Sequence, residues 1–132
     1  MAALYPNLIM QHARQPRNRG RLTKPTKTFR GQNSFCGDAL TITVRLDRRG
    51  RITAVAWQGS GCVLMQAAAS VFSEMLRSKT LAEARRIKSS ALLKKIPVQR
   101  SPIRVGCVLL PLYTVKEQPS KNSQSRLASA NR

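Results

Sequence analysis

The clearest pattern along the chain is a period of two. Leu40, Ile42, Val44 and Leu46 alternate with Thr41, Thr43 and Arg45, which predicts a strand with one buried face. Asp47-Arg48-Arg49-Gly50 supplies turn chemistry, with Gly50 able to take a positive φ. Residues 52–58 then read as the returning strand of an antiparallel hairpin. Gly59-Ser60-Gly61 is expected to break that strand. Residues 26–30 predict a short edge strand ahead of the hairpin. Residues 62–77 are rich in alanine, leucine and methionine and hold no breaker. Apolar positions cover most of this helix surface, so it should be buried against the sheet.

The other helical signals are shorter. Residues 4–13 read as an amphipathic helix with Leu4, Leu8 and Ile9 on one face, ended by Pro16. Thr80 with Glu83 three residues on is a capping-box signature. It predicts a helix over 81–87, with a further helical piece over 91–95. Residues 97–106, containing Pro102, read as a loop. The apolar run 107–115 reads as a helix starting near Cys107, with Pro111 in the first turn, where proline is tolerated. From residue 118 the chain is polar, basic and rich in Ser and Asn, the composition of a disordered tail. The expected organisation is one domain over 1–117 and a basic tail over 118–132. The fold class is α+β: a small, mainly antiparallel three-stranded sheet with helices packed on one face.

Length and charge narrow the possibilities. The 132 residues suit one domain with a modest core. No apolar run approaches the roughly 18 residues a membrane helix needs. The N-terminus shows no secretory signal pattern. A cytoplasmic location with reduced thiols is therefore expected. The three cysteines are odd in number and widely spread, which argues against a disulphide framework. Lys and Arg total 24 against five acids, a net charge of +19. Such a chain attracts polyanions at low salt. The basic residues form no single block, and Phe35, Trp57 and Phe72 stand in no basic stacking motif. Nucleic acid is expected to bind only non-specifically, by charge.

Each cysteine falls at a junction between predicted elements. Cys36 precedes the alternating strand, Cys62 opens the buried helix, and Cys107 opens the last one. Helix N-termini carry free N–H groups and partial positive charge, which favour thiolate. Asp38, one of few carboxylates, lies two residues from Cys36 across Gly37. Three thiolates and a carboxylate match tetrahedral Zn²⁺, or the four terminal positions of a [2Fe–2S] cluster. The spacing contains no C-x-x-C pair, and taken alone it favours plain burial of the cysteines. His12 reads as a surface residue at a helix end; Met10, Met65 and Met75 read as core.

Several motifs, in order over 4–112, resemble the U-type iron–sulphur cluster assembly scaffolds: NifU N-terminal domains, IscU and SufU. They are Ile9-Met10-Gln11-His12 with Pro16-Arg17-Asn18-Arg19-Gly20, Cys36-Gly37-Asp38, Trp57-Gln58-Gly59-Ser60-Gly61-Cys62, and Ser101-Pro102-Ile103-Arg104-Val105-Gly106-Cys107. The resemblance implies Cys36, Asp38, Cys62 and Cys107 as ligands, with Cys107 the first persulphide acceptor. It implies a scaffold rather than an enzyme, which builds a [2Fe–2S] cluster from iron and desulphurase-delivered sulphur. Its partners would be a cysteine desulphurase and acceptor apo-proteins. A zinc-dependent sulphur-transfer partner of the desulphurase is the alternative, and a basic nucleic-acid-binding module with structural cysteines, motivated by the charge alone, ranks behind both. Three features depart from the family pattern. Gly106 stands where the IscU branch has histidine, and that branch's chaperone motif is absent. The loop 93–107 is too short for the SufU insertion. Gln118-Pro119 ends the last helix early.

Overall fold

The alternating segment forms the middle of a three-stranded antiparallel sheet, in a computed structural model that describes residues 7–33, 37–96 and 101–116. In chain order the elements are α1 (Asn7–Arg14), β1 (Lys27–Asn33), β2 (Asp38–Leu46), β3 (Ile52–Ser60), α2 (Val63–Leu76), α3 (Leu81–Arg85), α4 (Ser89–Lys95) and α5 (Pro102–Lys116). The sheet order is β1-β2-β3. In the β2–β3 hairpin Ile42 faces Trp57 and Val44 faces Val55, with an irregularity at Arg45/Leu46. Its turn is held by Asp47, whose Oδ1 accepts from the amides of Arg49 and Arg51, both at 2.9 Å. Gly50 takes the expected positive φ of 80°.

One sheet face carries Phe29, Leu40, Ile42, Val44 and Trp57, all buried. Against it lie α2, on β3, and α5, on β1 and β2, while α1 packs on α2. Met65, Ala67, Ala68 and Phe72 of α2 have no exposed surface, because the small alanines let the helix sit close to the strands. Burying a side chain such as Phe72 contributes about 2–3 kcal/mol. The capping box forms with both of its bonds: Thr80 Oγ1 accepts from Glu83 N at 3.1 Å, and Glu83 Oε1 accepts from Thr80 N at 3.0 Å.

Several sequence expectations need correction. The strand β3 does not stop before Gly59 but runs to Ser60. Its partner β2 begins earlier than the apolar pattern shows, so Leu40 pairs with Gly59 and Ala39 with Ser60. The last helix starts at Pro102, not near Cys107, so residues 102–106 are helical rather than loop. Pro102 is the proline that initiates the helix, a position where its missing N–H costs nothing. Pro111 lies in the interior instead. In α1 the buried face is Ile9 and His12, while Leu8 is nearly half exposed. His12 is not a surface residue: its Nδ1 lies 2.7 Å from the Ser70 hydroxyl of α2. The expected tail over 118–132 and Leu4 lie outside the described residues.

The stretch 17–20 runs beside β3 as a short bridge. Asn18 O accepts from Trp57 N at 2.9 Å, and Trp57 O accepts from Gly20 N at 2.7 Å. The indole Nε1 donates to Arg17 O at 2.8 Å, and Ser70 Oγ accepts from Arg17 N at 2.8 Å. Among the described residues, every carboxylate is engaged within the fold. Asp47 holds its turn, Glu74 pairs with Arg17 at 2.8 Å, Glu83 caps α3, and Asp38 is buried. The positive charge is thus left on the surface. No helix among the described residues is long and apolar enough to cross a membrane.

Candidate metal centre

Three elements converge at one end of the sheet. Asp38 is the first residue of β2, Cys62 is the N-cap of α2, and Cys107 is the sixth residue of α5. Their ligand atoms lie within 4.8 Å of one another. Among the described residues no other group of three or more His, Cys, Asp or Glu side chains meets in this way. The sequence brings Asp38 and Cys62 together through the long hairpin register. Ala39 pairs with Ser60, so the residue before one strand partner and the residues after the other come out at the same sheet end.

Hydrogen bonds lock the pair. The Cys62 amide donates to Asp38 Oδ1 at 3.1 Å, and its thiol donates to Asp38 Oδ2 over 3.7 Å. Asp38 has no exposed surface. A buried carboxylate needs charge-assisted partners or a cation to offset its lost hydration. Gly61 makes the approach possible. A Cβ there would run into Asp38 Oδ1, with Asp38 Cγ at 2.7 Å and Met65 Cε at 3.0 Å. Gly61 has no positive φ, so its need for glycine is one of space rather than backbone conformation. Gly37 does have a φ of 71° and turns the chain into β2.

The two described cysteines differ in access. Cys62 is exposed and Cys107 is buried. The sequence placed Cys107 at a helix start; it stands instead one turn inside α5, delivered to the site by packing of the helix on β1 and β2. Cys36 lies outside the described residues. One residue near the site carries no sequence signal. Asn33, the last residue of β1, pairs with Asp38 across the sheet. Its Nδ2 lies 3.2 Å from where a Cβ on Gly106 would stand.

His12 and Trp57 tie α1 and the 17–20 stretch to α2 and β3. Burial, and then the charge of Arg17, hold the His12 pKa below its ordinary value of 6.5, opposed by Glu74. Arg19 lies over the Trp57 ring at 5.8 Å from its centroid, a cation–π contact.

Known proteins resemble this chain in sequence and in its arrangement of sheet and helices. The chain is 29% identical to the mitochondrial iron–sulphur cluster assembly protein 1 of Yarrowia lipolytica, over 92% of this chain and 68% of that one. It is 28% identical to the iron–sulphur cluster assembly scaffold protein IscU of Thermotoga maritima, over 92% of this chain and 96% of that one. Among solved structures, a protein of Fervidobacterium islandicum described as an iron–sulphur cluster assembly scaffold for the SUF system superposes with a TM-score of 0.73. It shares 26% identity, with 86% of this chain and 94% of that one covered. The NifU-like N terminal domain family matches residues 4–118, a span that holds every element described above as well as Asp38, Cys62 and Cys107, and the chain belongs to that family.

Proposed function

We propose that this protein is an iron–sulphur cluster assembly scaffold that builds a [2Fe–2S] cluster on Cys36, Asp38, Cys62 and Cys107 and passes it to acceptor proteins. The observation that carries this reading is the convergence of Asp38, Cys62 and Cys107 within 4.8 Å in a NifU-family chain. Iron and sulphide are the cargo, and the protein is their holder rather than a catalyst of turnover. Two thiols and a carboxylate fit an iron site. Carboxylate is the weaker cluster ligand, so Asp38 suits a centre that must be released.

Sulphur delivery follows from the accessible chemistry. A thiolate of the site attacks the outer sulphur of a cysteine desulphurase persulphide. A new S–S bond forms, the donor's S–S bond breaks, and the donor cysteine leaves as thiolate. Conversion of that sulphur to sulphide takes two electrons from an external thiol or electron-carrier protein. Cys107 is the acceptor the family resemblance implies. Its burial beside an exposed Cys62 means that a partner must open the site to reach it. The unbalanced surface charge favours partners with acidic faces.

A second reading has a geometric basis. Two ligands on one tetrahedral Zn²⁺ at about 2.3 Å stand roughly 3.8 Å apart, and the ligand atoms here fall within 4.8 Å. Asp38, Cys62 and Cys107 thus fit a single ion, which would hold the site closed until a desulphurase displaced a ligand.

Anaerobic reconstitution with ferrous iron and sulphide tests the first reading. The wild type is expected to gain the visible absorption of a [2Fe–2S] centre, and Cys62→Ser and Cys107→Ser to lose it. Equal absorption in either variant would sink the ligand assignment.

A further inference from the structure

The site has a neighbour that the ligand set does not include. Asn33 ends β1 and is the cross-strand partner of Asp38. Directly opposed residues of an antiparallel pair point to the same face. Asn33 is two positions beyond Gly31, whose Cβ would run into Thr114 of α5. Both residues therefore face α5, the helix that carries Cys107. At Gly106, the residue directly before Cys107, a Cβ would come within 3.2 Å of Asn33 Nδ2. The carboxamide thus stands in the space that a side chain at position 106 would enter. The residue is half-buried.

We propose that Asn33 is a further binding-site residue, whose carboxamide takes the place of a side chain at position 106 and donates a hydrogen bond to a metal-bound sulphur. The inference rests on the scaffold reading of Asp38, Cys62 and Cys107. A primary amide carries two N–H donors, and a metal-bound thiolate or sulphide keeps lone pairs to accept them. Hydrogen bonds to ligand sulphur draw off charge and fix ligand orientation, which is how residues around a metal set its affinity and potential. Asn33 is a positioning residue in this sense, since it acts through the sulphur rather than on the metal. Gly106 is its complement: a Cβ there, directly before Cys107, would press on the amide.

The test uses the full chain and Zn²⁺ and Co²⁺ as probes. Zinc affinity is read by competition with a chromophoric chelator, and cobalt by its thiolate-to-metal charge-transfer band. Thermal melting of the metal-free proteins reports folding. Asn33→Ala removes the amide. Asn33→Leu keeps its approximate shape but removes the donor. Both are expected to weaken zinc binding by about 10–100-fold, the usual effect of losing such a partner, and to shift the cobalt band, with melting of the metal-free chain unchanged. Wild-type affinity in Asn33→Ala would overturn the proposal. So would wild-type affinity in Asn33→Leu, because shape alone would then suffice. Cys62→Ser and Cys107→Ser run alongside. If these also bind zinc like wild type, the ligand assignment has failed; if they lose it while the Asn33 variants do not, only the Asn33 inference has failed.

Discussion

The sharpest structural requirement at the site is the absence of a side chain at position 61, and Gly61→Ala tests it. The added Cβ would stand 2.7 Å from Asp38 Cγ and 3.0 Å from Met65 Cε. Asp38 is fully buried and cannot swing into solvent to make room. Relief requires either a shift of the β3–α2 connection or rotation of the carboxylate. Rotation would break the bond that Oδ1 accepts from the Cys62 amide at 3.1 Å. Overpacking costs about 1–3 kcal/mol, and a hydrogen bond to a charged group is worth about 1.5–3 kcal/mol. Because the two routes are alternatives in part, the expected loss is about 2–4 kcal/mol, a fall in Tm of roughly 8–16 °C for a domain of this size. Urea unfolding in the presence of a chelator measures it. Zinc competition on the same variant should show weaker binding, since the carboxylate and Cys62 no longer share one geometry. Gly106→Ala is the contrast. Its closest contact is 3.2 Å to a side-chain amide, and alanine gains up to about 1 kcal/mol over glycine inside a helix. It should stay within about 1 kcal/mol of wild type. A Gly61→Ala protein as stable as wild type, with unchanged zinc affinity, would refute the reasoning.

Two further outcomes follow from the helices. The folded-state pKa of His12 is held below 6.5 by burial and Arg17, with Glu74 opposing, so on acidification the unfolded chain binds the proton first. His12's share of stability is complete above about pH 6.5 and is lost as pH falls from there toward the folded pKa; melts between pH 7.5 and 5 should show this slope, and His12→Gln should flatten it, whereas an unchanged slope would refute it. In α5, interior Pro111 forgoes a helical N–H and costs about 3 kcal/mol against alanine, while its buried ring carbons return about 0.8 kcal/mol per methylene. Pro111→Ala should therefore be about 1 kcal/mol more stable by urea unfolding, and a lower midpoint would contradict this.

Local patterns in the sequence carried the hairpin, the buried helix and the capping box. Strand alternation and the Thr80/Glu83 pair are short-range signals, and each appears in the structure. What the pattern missed depends on contacts between distant segments. The glycine-containing end of β3 reads as a break, yet pairing with Ala39 and Leu40 keeps it extended. Pro102 looks like a loop residue until the helix behind it is packed on the sheet. His12 looks polar and external, and only Ser70, 58 positions away, gives it a buried partner. The site shows the same division. Asp38, Cys62 and Cys107 are legible as residue types at junctions and through the family motifs. Their convergence needs the hairpin register and the placement of α5. Asn33 has no sequence signal, because its link to Gly106 exists only across the packed β1–α5 contact.

The central claim is that these residues form one metal-binding site loaded with an iron–sulphur centre. Elemental analysis of anaerobically purified protein, wild type beside a Cys62→Ser/Cys107→Ser double variant, tests it most directly. The account predicts iron and acid-labile sulphide in equal amounts on the wild type and neither on the variant. Zinc without sulphide on the wild type would favour the single-ion reading over the cluster. A wild type free of iron, sulphide and zinc, or a variant that carries as much metal as the wild type, would contradict the site itself.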